Sequence, residues 1–466
     1  MFYQLFRKSS GFLNDWLHAT RRKPLVIRGA RQVGKTSLVR AFARENNLTL
    51  CEINLEKNLH LDEIFRTYDI GKINREIEAI IGNNPEERNS LLFLDEIQAT
   101  PHALAALRYY FEERPELPVI ATGSLLEFAL SRANFSMPVG RIVYYHLFPL
   151  SFQEFLQAVS PDLTKYIEQI NWSNQIPESA HQRLLEKQRE YFFVGGMPEA
   201  VSVYRESRSV TEVTEVHRSI IDTYREDFHK YATQKELLRL QKVFGQIPYM
   251  LTQKTKYSRY DRDARSSEVK QVIELLKKAR ICFSVVRSHC NGIPLNAERD
   301  EKSFKLLFID VGLASHVLGL NWNSIQELSE ARLINEGGLA EQFIGQHLLN
   351  LGEGRRTPEL HYWLREGKAN NAEVDYVIAY GETIYPIEVK SGKSGSLKSL
   401  HQYLLQKKSK VAFRFDMNRA GKQKLETLTR LSGTQKEIER LDYEIISLPL
   451  YAAEAIPRLC KELEIV

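Results

Sequence analysis

Apolar residues recur in two rhythms along this chain. Short continuous runs such as Val26-Ile27, Leu91-Leu92-Phe93-Leu94 and Val119-Ile120-Ala121 predict strands covered on both faces. Between them, spacing of three and four residues predicts helices. In order, the pattern gives a strand ending at Arg28, a helix over 37–45, a strand over 48–53, polar helices through Ile81, and strands over 90–96, 117–124 and 142–147. Strands alternating with helices predict an α/β fold with a parallel sheet core. Residues 157–235 read as mostly helical. From Leu237, two or three short helices, the second over about 266–279, lead into an apolar hairpin at 281–286. A helix over 337–349 and a second hairpin around Gly381-Glu382 follow. The expected divisions are 1–156, 157–235, 236–300 and 301–466.

Composition narrows the class without choosing it. The chain has 466 residues, 43% hydrophobic and 26% charged, enough apolar surface for real cores and no sign of wholesale disorder. Cys51, Cys282, Cys290 and Cys460 are scattered without C-x-x-C spacing, so neither a disulfide framework nor a zinc site is expected. No run has signal-peptide or membrane-spanning character, and a cytoplasmic location is expected.

Chemistry first appears where the first strand ends. Gly29-Ala30-Arg31-Gln32-Val33-Gly34-Lys35-Thr36-Ser37 has the spacing Gly-x-x-x-x-Gly-Lys-Thr between a strand and a helix. Gly29 and Gly34 let the loop turn its N–H groups onto phosphates, the new helix presents its positive dipole end, Lys35 reaches the outer phosphates and the Thr36 hydroxyl can hold Mg²⁺. The third strand ends in Asp95-Glu96, at the edge where parallel sheets bind ligands. Asp95 is expected to partner Mg²⁺, and Glu96 to orient or deprotonate the attacking water. Thr122 or Ser124, closing the fourth strand, could contact the γ-phosphate or that water; an ST-turn or a helix N-cap explains them equally. Arg141, just before the fifth strand, is a candidate arginine finger in cis or from a neighbouring subunit, with a plain surface arginine as the alternative.

These residues, with Phe93-Leu94-Asp95-Glu96-Ile97-Gln98, Ala121-Thr122-Gly123-Ser124 and His146-Leu147-Phe148-Pro149-Leu150-Ser151-Phe152, resemble prokaryotic AAA-type ATPases that carry a C-terminal domain of unknown function. The resemblance covers residues 20–156 and implies ATP and Mg²⁺ as cofactors. Phe193-Val194-Gly195-Gly196-Met197-Pro198 resembles the Gly-x-Pro element in the helical lid of signal-transduction P-loop ATPases, which implies a place for Pro198 beside the adenine. No lid arginine stands out as a second nucleotide sensor. The segment 224–231, charged and aromatic, reads as a domain-docking element.

The short helices and the hairpin at 281–286 predict a winged helix-turn-helix. Residues 254–280 hold nine basic residues against four acids, a net of +5, equal to the whole chain's excess of 64 basic over 59 acidic residues. With Tyr257 and Tyr260 interleaved, this suits contact with a phosphate backbone; a solvated surface is the simpler alternative.

If Gly381-Glu382 forms a two-residue turn, Tyr380 faces Thr383, and the register carries Asp375 opposite Glu388 and Glu373 opposite Lys390. Carboxylates paired across a hairpin need a compensating cation or exposure to water. The pattern Asp-x(12)-Glu-x-Lys at a hairpin resembles the PD-(D/E)XK nuclease fold over roughly residues 330–420, with Val374 in place of the usual proline. The resemblance implies a restriction-endonuclease-like α/β domain in which Asp375, Glu388 and Glu341 bind Mg²⁺ and Lys390 positions the water. Glu268-Val269-Lys270 repeats the triplet on a predicted helix, where residues two apart diverge.

The sequence thus predicts an AAA-type ATPase core, helical lid, winged helix and nuclease-like C-terminal domain. DNA is the expected partner of the last two, alongside a homo-oligomer or a partner protein. The alternative is an ATP-driven signalling or scaffold switch whose C-terminal domain binds protein without cleaving anything, which near-neutrality outside 254–280 would favour.

Overall fold

The computed structural model describes residues 4–124, 140–173, 175–230, 232–323, 336–352, 354–355, 359–366, 371–392, 397–430 and 438–465. Five strands, β1 (Leu25–Arg28), β2 (Thr49–Asn54), β3 (Ser90–Asp95), β4 (Val119–Gly123) and β5 (Val143–His146), form one sheet in the order β2-β3-β4-β1-β5. Every pairing in it is parallel. All six residues of β3 are buried, as its unbroken apolar run requires. Alternate side chains enter separate cores. Leu91, Phe93, Ile27 and Ile120 join one, and Leu92, Leu94, Val26 and Ala121 join the other, under the helices Ile70–Ile81 and Pro101–Glu113. All five strands expected from the sequence are present.

Helices Phe152–Val159, Glu178–Val194, Pro198–Ser207 and Val210–Asp227 follow. Helices Gln234–Gln246, Tyr257–Tyr260 and Ser266–Lys278 then precede β6 (Cys282–Ser288) and β7 (Arg299–Phe308). This is the element order expected of a winged helix, but the hairpin does not stand apart as a wing. It is built into an eight-stranded sheet with β8 (Leu360–Arg365), β9 (Ala372–Tyr380), β10 (Thr383–Val389), β11 (Val411–Asp416), β12 (Gly421–Arg430) and β13 (Ile438–Pro449), in the order β12-β13-β11-β10-β9-β8-β6-β7. The division expected at residue 300 therefore cuts a hairpin.

The β9–β10 register runs from Thr383↔Tyr380 to Ile387↔Tyr376, as the two-residue turn dictates. The helix Glu336–Leu349 ties this sheet to the rest. Gln342 is fully buried and bonds both backbone groups of Phe308, accepting from its N–H and donating to its carbonyl at 2.8 Å each. His347 Nε2 accepts the Phe152 N–H at 2.9 Å. Among the described residues, no helix is long and apolar enough to cross a membrane, and all four cysteines are free and buried.

Candidate functional site

The loop between β1 and the helix Lys35–Glu45 closes at the carboxyl edge of the first sheet. Two glycines shape it. Gly34 has φ +90°, and a Cβ on Gly29 would stand 2.5 Å from the Leu147 carbonyl oxygen. Val33 and Ala30 are buried beneath the loop, while Gln32 and Ser37 face solvent. The Lys35 ammonium, itself buried, folds back to donate to the carbonyls of Gly29 (3.1 Å) and Ala30 (2.8 Å). Burial pushes its pKa down to about 8, against the opposing pull of Glu96 and Asp95.

Asp95 ends β3 beside the loop. It accepts the Thr36 hydroxyl at 3.1 and 3.3 Å and also the Thr122 hydroxyl. Burial raises its pKa, and the two hydroxyls oppose that rise. A hydroxyl and a carboxylate in contact at the mouth of a phosphate loop form an oxygen donor pair of the kind Mg²⁺ takes, so Thr36 and Asp95 fit the ion. Glu96 sits in the left-handed region at φ 54°. Its Oε2 accepts from Gln98 Nε2 at 2.5 Å and from Ser124 Oγ at 3.1 Å. Thr122 and Ser124 thus brace the two acids. Gln98, two residues beyond Glu96, holds its carboxylate. The helix expected after Ser124 lies outside the described residues.

The helical segment touches the loop from the other side. Pro198, first residue of its helix, packs on Gly34, where a Cβ would meet Pro198 Cγ at 3.3 Å. The Tyr224 hydroxyl donates to the Arg31 carbonyl at 2.9 Å, and the Arg31 guanidinium pairs with Asp227. Part of the expected docking segment therefore docks on the phosphate loop itself.

Arg141 lies elsewhere. It precedes β5, whose Val143 pairs with Leu25 at the amino end of β1, whereas the loop leaves the carboxyl end, about 10 Å away along the strand. Its Nε bonds Glu112 at 3.0 Å. The finger role in cis is withdrawn, because parallel strands put the two groups at opposite edges.

In the C-terminal sheet, Asp375, Glu388 and Glu341 meet as expected, joined by Glu373 and two lysines. Asp375 Oδ2 accepts the Val389 N–H at 2.8 Å, and Lys390 Nζ pairs with Glu388 Oε1 at 2.5 Å. Lys305, buried on β7, stands 3.5 Å from Glu341 Oε2 and pairs with Glu373. Burial, then Asp375, pushes Glu388 up to about 8, and the same two causes hold Glu341 well above the usual carboxylate range. The second Glu388 oxygen is buried without a hydrogen-bond partner. Even so, no three His, Cys, Asp or Glu side chains among the described residues are disposed to hold a metal ion. In this arrangement the ammonium groups of Lys305 and Lys390 lie against Glu341, Glu373 and Glu388.

The charge map also shifts. In the 254–280 segment, Lys254 pairs with Glu366 and Lys277 with Glu274, while Asp261 is held by Lys242 and Arg239 from outside the segment. Arg280 lies close enough to His146 to help burial push that imidazole down to about 3. Residues 390–424 hold ten Lys and Arg against Asp416 alone, and of the ten Lys390, Arg419, Lys422 and Lys424 pair with acids outside the segment. Lys398, Lys408, Lys410 and Lys424 there are exposed.

Residues 21–156 match the AAA domain family, residues 185–324 a domain of unknown function (DUF8612), and residues 336–449 another domain of unknown function (DUF4143). Among solved structures, the Aeropyrum pernix ORC1 protein in complex with DNA is similar over 66% of this chain and 90% of that chain, at 13% identity and a TM-score of 0.26. C. elegans PCH-2 is similar over 43% and 59%, at 14% identity and a TM-score of 0.26. No curated protein matches the chain. Loop, acids and family match agree that residues 21–156 form an AAA-type P-loop domain.

Proposed function

We propose that this chain binds ATP and hydrolyses it with Mg²⁺, and that its nucleotide state is passed through the helical segment to a C-terminal module that engages DNA. One observation carries the reading: Lys35, Thr36, Asp95 and Glu96 converge at one edge of a parallel sheet, each braced for a separate task. Lys35 and the loop N–H groups bind the phosphates. Thr36 and Asp95 would hold Mg²⁺, which when bound would supply positive charge against the phosphoryl oxygens. Glu96, oriented by Gln98 and Ser124, places the water and takes its proton. What supports DNA as partner is the excess of positive charge over residues 390–424.

A second reading, an ATP-driven signalling or scaffold switch whose C-terminal domain binds protein without cleaving anything, is favoured by the pairing of Lys305 with Glu341 and Glu373. Purified protein with ATP, Mg²⁺ and plasmid tests both. Wild type should release phosphate and retard the plasmid, and Lys35→Ala should lose turnover. Turnover unchanged in Lys35→Ala refutes the ATP site. Nicking by wild type that Asp375→Ala lacks would support a nucleolytic C-terminal module.

A further inference from the structure

The turn 195–198 lies between the phosphate loop and the C-terminal sheet, and one fully buried carboxylate joins it to that sheet. Asp310 follows β7 by two residues. Its Oδ2 accepts the Gly196 N–H at 2.7 Å, and its Oδ1 accepts the Leu313 N–H at 3.1 Å, capping the helix Val311–Val317. The fit permits no side chain at either neighbour. A Cβ on Gly195 would lie 2.0 Å from Asp310 Oδ1, and one on Gly312 would lie 2.5 Å from the Gly195 nitrogen. At one end of the turn, Pro198 presses on Gly34 of the phosphate loop. Beyond the other, β7 carries Lys305 to Glu341 and Glu373, while Gln342, next to Glu341, grips Phe308.

We propose that Asp310 is the positioning residue that couples the phosphate loop to the C-terminal carboxylate cluster. A displacement of Pro198 as nucleotide fills the loop is carried by the Gly196–Asp310 bond into β7, and β7 moves Lys305 relative to its acids. The path is short and packed throughout, as transmission between two arrangements requires. The proposal rests on the reading of the loop as an ATP site.

Hydrogen exchange of the full chain, with and without a non-hydrolysable ATP analogue, tests it, with analogue affinity measured in parallel. In wild type, the analogue should change exchange over 299–308 and 383–389 by about fivefold or more, the low end of measured couplings. Asp310→Asn accepts through only one oxygen. Asp310→Ser keeps a hydroxyl to cap the helix but is too short to reach Gly196. Both should bind the analogue about as tightly as wild type and lose the change over 299–308 and 383–389. A residue with only a structural role would lower the melting temperature and leave that response intact, which overturns the proposal. So does a wild type that binds the analogue and shows no change in those strands, whether or not either variant folds. Absence of analogue binding by wild type instead overturns the ATP site, and the parallel affinity measurement separates the two failures.

Discussion

Lys35 offers a test by pH alone. In the free protein its ammonium is buried against two loop carbonyls, and desolvation brings its pKa down to about 8. Phosphates placed against it favour the charged form, so its pKa in the complex should return to the ordinary lysine range. Below pH 8 the free protein already carries the proton and binding needs none. Above pH 8 the proton must be taken up on binding, so affinity falls as pH rises. With a free-protein pKa of about 8, ATP affinity at pH 9 should be about tenfold weaker than at pH 7, with uptake approaching one proton per ATP. Calorimetry in buffers of different ionisation enthalpy reads both quantities. Lys35→Arg, which stays charged throughout, should remove the slope. Affinity that is flat from pH 7 to about 9.5, or an equal slope in Lys35→Arg, would refute the reasoning.

Three further outcomes are expected. Gln342→Leu strands the backbone N–H and carbonyl of Phe308 and should cost about 2–4 kcal/mol in urea unfolding; a loss below about 1 kcal/mol would show that those groups find other partners. Lys305→Met leaves Glu341 and Glu373 without their buried cation and should cost about 3–5 kcal/mol at pH 7.5. Burial and Asp375 hold Glu341 well above the usual carboxylate range, so the loss should shrink as the pH falls; a pH-independent loss would contradict the charge argument. Reversing the charge of Lys408 and Lys410 together should weaken duplex binding and lower the magnitude of its salt slope by about 2, whereas an unchanged slope would remove residues 390–424 from the DNA contact.

Much of this was legible in the sequence where a local rule decides the outcome. The unbroken run at 91–94 announced a buried parallel strand, and the two-residue turn at Gly381-Glu382 set the pairing that brings Asp375 beside Glu388. Strand direction alone separates Arg141 from the phosphate loop of its own chain, because a residue ahead of a parallel strand lies at the opposite edge from a loop that follows one. Lys305 and Asp310 act across long sequence separations, on partners no spacing rule reaches. Each still left a local trace. Lys305 is the lone charge in Phe304-Lys305-Leu306-Leu307-Phe308, and Asp310 closes an apolar run as Asp95 does. The wing strands became part of a larger sheet because β6 pairs with β8 as well as with β7, which hairpin periodicity cannot reveal.

The central claim, that the edge formed by Lys35, Thr36, Asp95 and Glu96 hydrolyses ATP, is tested most directly by the nucleotide that stays bound to Glu96→Gln. Glutamine keeps the contacts to Gln98 and Ser124 but is too weak a base to take the water's proton, so hydrolysis should slow by about 10²-fold or more with binding retained. Chromatography of nucleotide released from the variant after incubation with Mg²⁺ and ATP should recover mainly ATP, where wild type yields ADP. Recovery of ADP at the wild-type rate would contradict the account.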